Sequence, residues 1–298
     1  MNGTLNKIKL KPGRYVIAVS GGVDSMVLLD ILHRQPGLEL VIAHFNHGIR
    51  PDSQLDEELV RHTAQRLDLK FTVGYGKLGP KTSEETARAA RYRFLRQVKQ
   101  TSQSRAIITA HHQDDLIETA FLNLLRGSGR LGLTSIASNQ QIVRPLLDTP
   151  KSWILLYADR NGIKWREDSS NMNLSYLRNY LRIKILPKLT QSQRHNLLSN
   201  IQKVAKNQSN TNKLIATISR KLIKNQIIDR SLYLSLPSPL DTELMAYWLR
   251  QQSVAEFDRR TVERLSLALK TSKPGTTLDV SSQKKLRVST AGAHFSNR

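Results

Sequence analysis

Apolar and polar positions in the first half of the chain form alternating blocks of strand length and helix length. Four apolar runs of strand length lie at residues 14–19, 38–45, 70–75 and 105–110. The segments between them are predicted to be helices. Strand, helix and strand at this spacing predict a parallel sheet with helices on both faces. The first part of the chain is therefore expected to be an α/β domain.

Three of these helices carry sequence signals at their starts. Ser53 and Asp56 have the spacing of a capping box, and so do Thr82 and Glu85. Thr149 precedes a proline, which is the pattern of an N-cap followed by proline at the first helical position. We expect helices to begin at these three places.

The pattern changes near residue 191. A polar, basic, helical segment leads into two further predicted helices, a Lys-Pro-Gly turn and two short predicted strands, TTLDV and KKLRVST. We therefore predict an α/β parallel-sheet domain over residues 1–190. A linker helix and a small, basic α+β domain are predicted over residues 191–298.

Unusual polar clusters follow three of the four predicted strands. They are SGGVDS after the first strand, HFNHGIR after the second and HHQDD after the fourth. In a parallel sheet, ligands bind outside the carboxyl ends of the strands. All three clusters are therefore expected at the ligand-binding edge.

The SGGVDS loop has the position of a phosphate-binding loop, between a strand and a helix. Gly21 and Gly22 let backbone N–H groups approach an anion at a helix N-terminus, and Ser20 and Ser25 add hydroxyl donors. The loop has neither the lysine of a Walker A motif nor the glycine spacing of a dinucleotide-binding loop. Asp24 suits such a loop if magnesium bridges its carboxylate to phosphate. The alternative is an ordinary helix cap.

Charge and composition narrow the class of partner. Lysine and arginine number 46 against 24 acidic residues, a net charge of +22, and residues 191–298 hold 18 basic and 7 acidic residues. This excess favours a polyanion such as nucleic acid as the binding partner, and a generally basic surface is the alternative.

The chain has no cysteine, which excludes disulfides, thiolate metal sites and cysteine nucleophiles. Without an apolar membrane span or a signal peptide, we expect a cytoplasmic protein with no membrane partner.

Two kinds of charged cluster are candidates for ligand binding. Arg50 follows the second strand, and its guanidinium group is suited to binding phosphate. Arg88 lies on a basic helix face, and such faces are commonly exposed to solvent without binding a ligand. After the fourth strand, Asp114 and Glu118 are four residues apart and share a helix face. We interpret this acidic cluster as a pocket for a cation such as an amine. A divalent-metal site and an acidic first turn that complements the helix dipole are the alternatives.

Taken together, these segments resemble the tRNA(Ile)-lysidine synthetase family of the PP-loop ATP pyrophosphatase superfamily. The resemblance rests on SGGVDS, HFNHGIR, EETARAARY, TAHHQDDLIET, RGSGRLGL, RPLL, EDSSN, RNYLR and ILPKL, which occur in the family's order over residues 14–190. The second domain matches only in general character, and the further C-terminal domain of longer members is not expected here. A tRNA thiolase, an amidotransferase synthetase and a non-catalytic RNA-binding protein are the alternatives.

The resemblance implies a PP-loop fold and a ligase that uses ATP and Mg²⁺. Its substrates would be free L-lysine and an isoleucine tRNA with a CAU anticodon. ATP would adenylylate the C2 oxygen of the wobble cytidine, and the lysine ε-amine would then attack C2 and release AMP. Whether the enzyme is a homodimer stays open.

The resemblance also implies roles for individual residues. The loop and one arginine would bind ATP, with Asp24 on magnesium: Ser20, Gly21, Gly22, Val23, Asp24, Ser25 and Arg50. Lysine would be bound through its amino groups by Asp114, Asp115 and Glu118. His112 would assist proton movement, and two arginines would stabilise phosphate or the activated base. The expected catalytic residues are Asp24, Arg88, His112, Asp115, Glu118 and Arg178.

Overall fold

The computed structural model divides the chain into two units. It describes residues 8–48, 52–76, 79, 82–125, 136, 141–167, 173–174, 176–252, 254, 257–281 and 283–297. The first unit is Met1–Ala205 and the second is Lys206–Arg298. The division falls inside a long helix that the sequence analysis assigned wholly to the second domain.

A five-stranded parallel sheet forms the centre of the first unit, in the order β3-β2-β1-β4-β5. The strands are β1 (Gly13–Ala18), β2 (Leu38–Asn46), β3 (Lys70–Tyr75), β4 (Ile107–Ile108) and β5 (Ile142–Val143). The predicted parallel α/β sheet is confirmed. β5 is a strand that the sequence analysis did not predict, since Ile142 and Val143 stand between Gln141 and Arg144 and form no apolar run of strand length.

Helices connect the strands of the first unit. They are α1 (Val23–His33), α2 (Ser53–Arg66), α3 (Glu84–Thr101), α4 (Gln113–Leu125), α5 (Lys151–Arg160) and α6 (Leu177–Tyr180), with a π-helical turn at Leu181–Ile185 and a 3₁₀ turn at Leu186–Lys188. Alternate residues of β1 face opposite sides of the sheet, so Ile17 packs with Ile154 of α5 and Val16 packs with Leu95 of α3. Both faces are therefore covered by helices.

The predicted starts of three helices are wrong by one residue. Helix α2 has Asp52 rather than Ser53 at its N-cap, and α5 has Pro150 there. Helix α3 is capped by Ser83, whose hydroxyl accepts the backbone N–H of Thr86. Asp52 and Pro150 make no side-chain capping bond, so sequence signals located these helix starts only to within one residue.

An antiparallel sheet with helices forms the second unit, in the order β6-β7-β10-β9-β8. Its strands are β6 (Ile223–Lys224), β7 (Ile227–Asp229), β8 (Thr277–Asp279), β9 (Lys284–Val288) and β10 (Gly292–Asn297). Its helices are the end of α7 (Gln191–Leu222), then α8 (Arg230–Leu234), α9 (Leu240–Gln251) and α10 (Arg259–Thr271). The predicted α+β class is confirmed, although only β8 and β9 of the five strands were predicted. In the described part of the chain, no helix is long and apolar enough to cross a membrane.

The pairing of β10 with β7 leaves room only for glycine at residue 292. A Cβ on Gly292 would lie 2.2 Å from the carbonyl oxygen of Ile228. Gly292→Ala is therefore expected to destabilise the second unit by about 1–3 kcal/mol, because the strands must move apart. Urea unfolding followed by circular dichroism measures the loss. Gly79→Ala is the control, since a Cβ there would meet nothing within 4 Å, and equal midpoints for the two variants would contradict the prediction.

Candidate active site

The SGGVDS loop follows β1 and is closed by serine hydroxyls. Ser25 Oγ donates to the carbonyl of Gly22 at 2.9 Å and accepts the backbone N–H of Ser20 at 3.2 Å. Gly21 has a φ of +92°, and a Cβ there would contact Asp56 of α2, so the position favours glycine. Helix α1 begins at Val23, and the N–H groups of its first turn therefore lie at the loop, an arrangement that suits anions.

Asp24, in the first turn of α1, contacts two groups from other elements. Lys151 Nζ, at the start of α5, lies 2.6 Å from Asp24 Oδ1. His112 Nε2, just before α4, lies 3.7 Å from the same oxygen. The loop's acidic residue is therefore already neutralised by a lysine that is distant in sequence.

His112 connects the loop to the acidic helix α4. Its side chain is buried, and Nε2 lies 3.5 Å from Asp115 Oδ2 as well as near Asp24. Nδ1 accepts the backbone N–H of Asp114 at 3.2 Å. Since Nδ1 is an acceptor, a neutral ring carries its proton on Nε2, between the two carboxylates.

Glu118 is fully buried and is enclosed by two arginines. Arg178 Nε donates to Oε2 at 3.1 Å, and Arg182 Nε donates to Oε1 at 2.7 Å. Arg182 Nη2 also donates to Glu118 Oε2 at 3.0 Å and to Asp115 Oδ1 at 3.1 Å. Burial opposes the charge of Arg182, but Glu118 and Asp115 outweigh it and raise the pKa of that guanidinium. Arg182 therefore joins Asp115 and Glu118 of α4.

Asp115 stays ionised although it is buried. Burial alone would raise the pKa of its carboxyl, but His112, His111 and Arg182 together outweigh burial and lower it. Asp114 pairs instead with Arg194 of α7, which also donates to the carbonyl of Leu186 at 3.2 Å. Asp114 and Asp115 therefore have different arginine partners.

Three arginines, Arg88, Arg91 and Arg144, lie near His111. Its Nδ1 lies 2.9 Å from Thr109 Oγ1 and accepts from Arg144 Nε at 3.3 Å. Burial lowers the pKa of His111 to about 3, with further lowering by Arg144, Arg91 and Arg88 against the opposing effect of Asp115. Arg88 belongs to this group and lies with its guanidinium carbon 4.9 Å from the centre of the Tyr92 ring.

The structure brings most of the predicted site residues together. Contacts link the SGGVDS loop through Asp24 to His112, Asp115, Glu118 and Arg178. The backbone N–H of Asp114 donates to His112 Nδ1, and Arg88 is one of the arginines near His111. Arg50 and the RGSGRLGL segment lie outside the described residues.

Sequence reasoning did not assign Lys151, Arg194 or Arg144 to the site. For Lys151 a signal was present, because the helix dipole disfavours a cation in the first turn of a helix, and a nearby negative charge is expected to compensate. Arg194 and Arg144 gave no such signal, since their positions depend on how α7 and β5 pack against α4.

Comparison with known proteins shows which family the chain belongs to. The chain belongs to the PP-loop domain family, whose model matches residues 2–189. Relatives within that class are tRNA(Ile)-lysidine synthases, so the resemblance expected from the sequence is confirmed. The enzyme from Thermus thermophilus is 40% identical over 181 residues, 58% of this chain and 35% of that protein.

Two further tRNA(Ile)-lysidine synthases extend the comparison. The protein from Streptococcus thermophilus is 38% identical over 187 residues, 60% of this chain and 42% of its own length. The one from Lactiplantibacillus plantarum is 32% identical over 276 residues, 84% of this chain and 59% of its own length. The chain therefore spans between 35% and 59% of the length of these relatives.

His111 is expected to make folding dependent on pH. An unfolded histidine takes up a proton below about pH 6.5, whereas the folded ring stays neutral down to its pKa of about 3. The unfolded state then binds more protons, so this contribution is complete above about pH 6.5 and is lost as the pH falls toward 3. The loss is at most about 1.4 kcal/mol per pH unit.

The test is urea unfolding of the wild type and His111→Gln at neutral and mildly acidic pH. We expect the substitution to reduce the difference in stability between the two pH values. His62→Gln, at an exposed position of α2, is the control and should keep the wild-type difference. An identical pH dependence in all three proteins would show that the neutral His111 ring does not contribute.

Proposed function

We propose that this chain is a ligase that joins L-lysine to C2 of the wobble cytidine of an isoleucine tRNA with a CAU anticodon. ATP activates the cytidine, and AMP and pyrophosphate are released. The observation that carries the proposal is the position of His112, whose Nε2 lies 3.7 Å from Asp24 and 3.5 Å from Asp115. A phosphate-binding loop and an acidic pocket then form one site, as a reaction between a nucleotide and an amine requires.

The SGGVDS loop is the proposed ATP site. Its N–H groups at the start of α1 and its serine hydroxyls suit phosphate oxygens, and membership of the PP-loop family supports ATP as the nucleotide. Asp24 fits a magnesium ion shared with phosphate, since Mg²⁺ in nucleotide sites takes one or two carboxylates and completes its shell with phosphate and water. When bound there, the ion neutralises phosphate charge.

The acidic face of α4 is the proposed lysine site, formed by Asp114, Asp115 and Glu118. Free lysine carries two ammonium groups and one carboxylate. Asp115 is suited to an ammonium group because its lowered pKa keeps it charged. Arg182, which contacts both Glu118 and Asp115, is suited to the lysine carboxylate. A zwitterionic ligand can thus exchange partners with the existing ion pairs and leave no buried charge unpaired.

The lysine ε-ammonium must lose a proton before it attacks, since its ordinary pKa is about 10.4. His112 lies between the two halves of the site and is proposed to assist this transfer. Its Nδ1 accepts the backbone N–H of Asp114, so the neutral ring carries its proton on Nε2 and would assist by donating that proton in a hydrogen bond to a carboxylate that takes up the ammonium proton. Asp24 and Asp115 are both within reach of that proton.

The remaining proposed roles concern the nucleic acid. Arg88 and Arg178 would stabilise phosphate or the activated cytosine, whose base must leave the anticodon stack to react. The net charge of +22 suits a tRNA partner. A cytoplasmic location and a homodimeric state stay predictions.

Lysine incorporation tests the proposal. The protein, ATP, Mg²⁺ and radiolabelled lysine are incubated with an isoleucine CAU transcript, and with a methionine tRNA of the same anticodon as the control. Label on the isoleucine tRNA alone is expected. Asp24→Ala should abolish tRNA-dependent pyrophosphate release while tRNA affinity, measured by filter binding, stays within about twofold of the wild type. No label together with normal pyrophosphate release would refute lysine as the nucleophile.

Glu118→Gln tests the lysine site. The substitution keeps the shape of the side chain but removes the charge, and the lysine KM should rise by about tenfold or more, with less than about a twofold change in the ATP KM. Glu58→Gln on the exposed face of α2 is the matched control. If Glu118 only anchors Arg178 and Arg182, the two KM values will rise together, and an unchanged lysine KM would remove Glu118 from the lysine site.

A further inference from the structure

The phosphate-binding loop contains no lysine, but a lysine reaches it from another helix. Lys151 Nζ lies 2.6 Å from Asp24 Oδ1, although the two residues are 127 positions apart in sequence. Both side chains are about one third exposed, 31% for Lys151 and 29% for Asp24. A ligand that enters the loop can therefore reach the ammonium group.

The two helices that carry this pair run in the same direction. Asp24 contacts Lys151, and six residues further along each helix, Tyr157 donates from its hydroxyl to Asp30 at 2.8 Å. Because the second contact lies six residues beyond the first on both α1 and α5, the two helices are parallel and their N-termini are adjacent. The positive ends of two helix dipoles and the Lys151 ammonium are therefore gathered around one carboxylate.

Lys151 is unfavourably placed for its own helix. It is the first residue of α5, where the dipole disfavours a cation, and it follows the N-cap residue Pro150. The ion pair with Asp24 compensates for this. If ATP occupied the loop and Asp24 held its cation, the Lys151 ammonium would lie beside the phosphate groups.

We propose that Lys151 is the phosphate-binding lysine of this loop, an inference that rests on the proposed ATP site. Before ATP binds, its ammonium neutralises Asp24, and with ATP bound it contacts oxygens of the β- or γ-phosphate. During adenylylation a bond forms between the cytidine C2 oxygen and the α-phosphorus, and the bond from that phosphorus to the bridging oxygen breaks. Pyrophosphate leaves with the electron pair, and Lys151 keeps its proton and stabilises the developing negative charge.

The first test is direct binding of inorganic pyrophosphate and of ATP, measured by calorimetry with Mg²⁺ and without tRNA or lysine. Lys151→Met should weaken binding by about tenfold, the usual effect of losing a charge-assisted hydrogen bond, and Lys151→Arg should retain most of the affinity. Arg34→Met removes a comparable ion pair with Asp30 on α1, away from the loop, and should bind as the wild type does. Wild-type affinity in Lys151→Met would overturn the inference.

A second test separates phosphate contact from simple neutralisation of Asp24. In Asp24→Asn the carboxylate is absent. If Lys151 only neutralises Asp24, a further change of Lys151 to Met should then leave pyrophosphate affinity unchanged. Pyrophosphate binding in EDTA is compared for Asp24→Asn, for Asp24→Asn with Lys151→Met, and for Asp24→Asn with Arg34→Met. We expect only the second variant to bind about tenfold more weakly. Equal affinity in all three would overturn the inference.

These measurements do not depend on the lysine-transfer reaction. The variant with both Asp24→Asn and Lys151→Met removes both members of the ion pair and leaves no unpaired charge, and thermal unfolding confirms that it is folded. If the wild type binds pyrophosphate but forms no lysidine, the proposed function fails and the role of Lys151 stands. If lysidine forms but Lys151→Met binds pyrophosphate normally, the role of Lys151 fails alone.

Discussion

A fully buried carboxylate determines how the first unit is assembled around its site. Glu118 has no access to solvent, and an ionised group in that position must be paired and hydrogen-bonded. Arg178 and Arg182 provide this, since residues four apart in a helical segment lie on one face. Removing one member of such a buried pair commonly costs about 3–5 kcal/mol. The segment from α6 into the π-helical turn is therefore fixed against α4, and the rest of the site follows from that contact.

The polar and charged groups of the site form one continuous chain of contacts. From the loop outward, Lys151 contacts Asp24, His112 lies between Asp24 and Asp115, and Arg182 connects Asp115 to the buried glutamate. Each group is positioned by contacts with its neighbours. Because the contacts are continuous, a change of charge at the SGGVDS loop alters the electrostatic environment of the acidic face of α4. Under the proposed function, nucleotide binding and lysine binding would therefore influence each other.

Much of the fold and part of the site could be predicted from the sequence. The apolar runs predicted four of the five parallel strands, and the described residues of the three polar clusters that follow them lie at one edge, because that follows from parallel strand direction alone. What could not be predicted depends on tertiary contacts. The Ser53–Asp56 spacing suggested a capping box, yet Asp56 pairs with Arg166 at 2.9 Å, more than a hundred residues away. Arg194 has no local pattern that would assign it to α4, and the unfavourable helix position of Lys151 does not identify the loop as its partner.

The balance of charge at the site constrains how substrates can enter it. Four carboxylates, those of Asp24, Asp114, Asp115 and Glu118, are paired with four cations, Lys151, Arg178, Arg182 and Arg194. In the proposed reaction, ATP would add several negative charges at the loop, which the Lys151 ammonium and a divalent ion would offset once Asp24 changes its partner. Free lysine would bring charges of both signs, which the carboxylates of α4 and Arg182 would accept in exchange for their present pairs. Among these eight described groups, binding of the proposed substrates would therefore exchange existing ion pairs. Such an exchange keeps every buried charge compensated at each stage, which an interior of low dielectric constant demands.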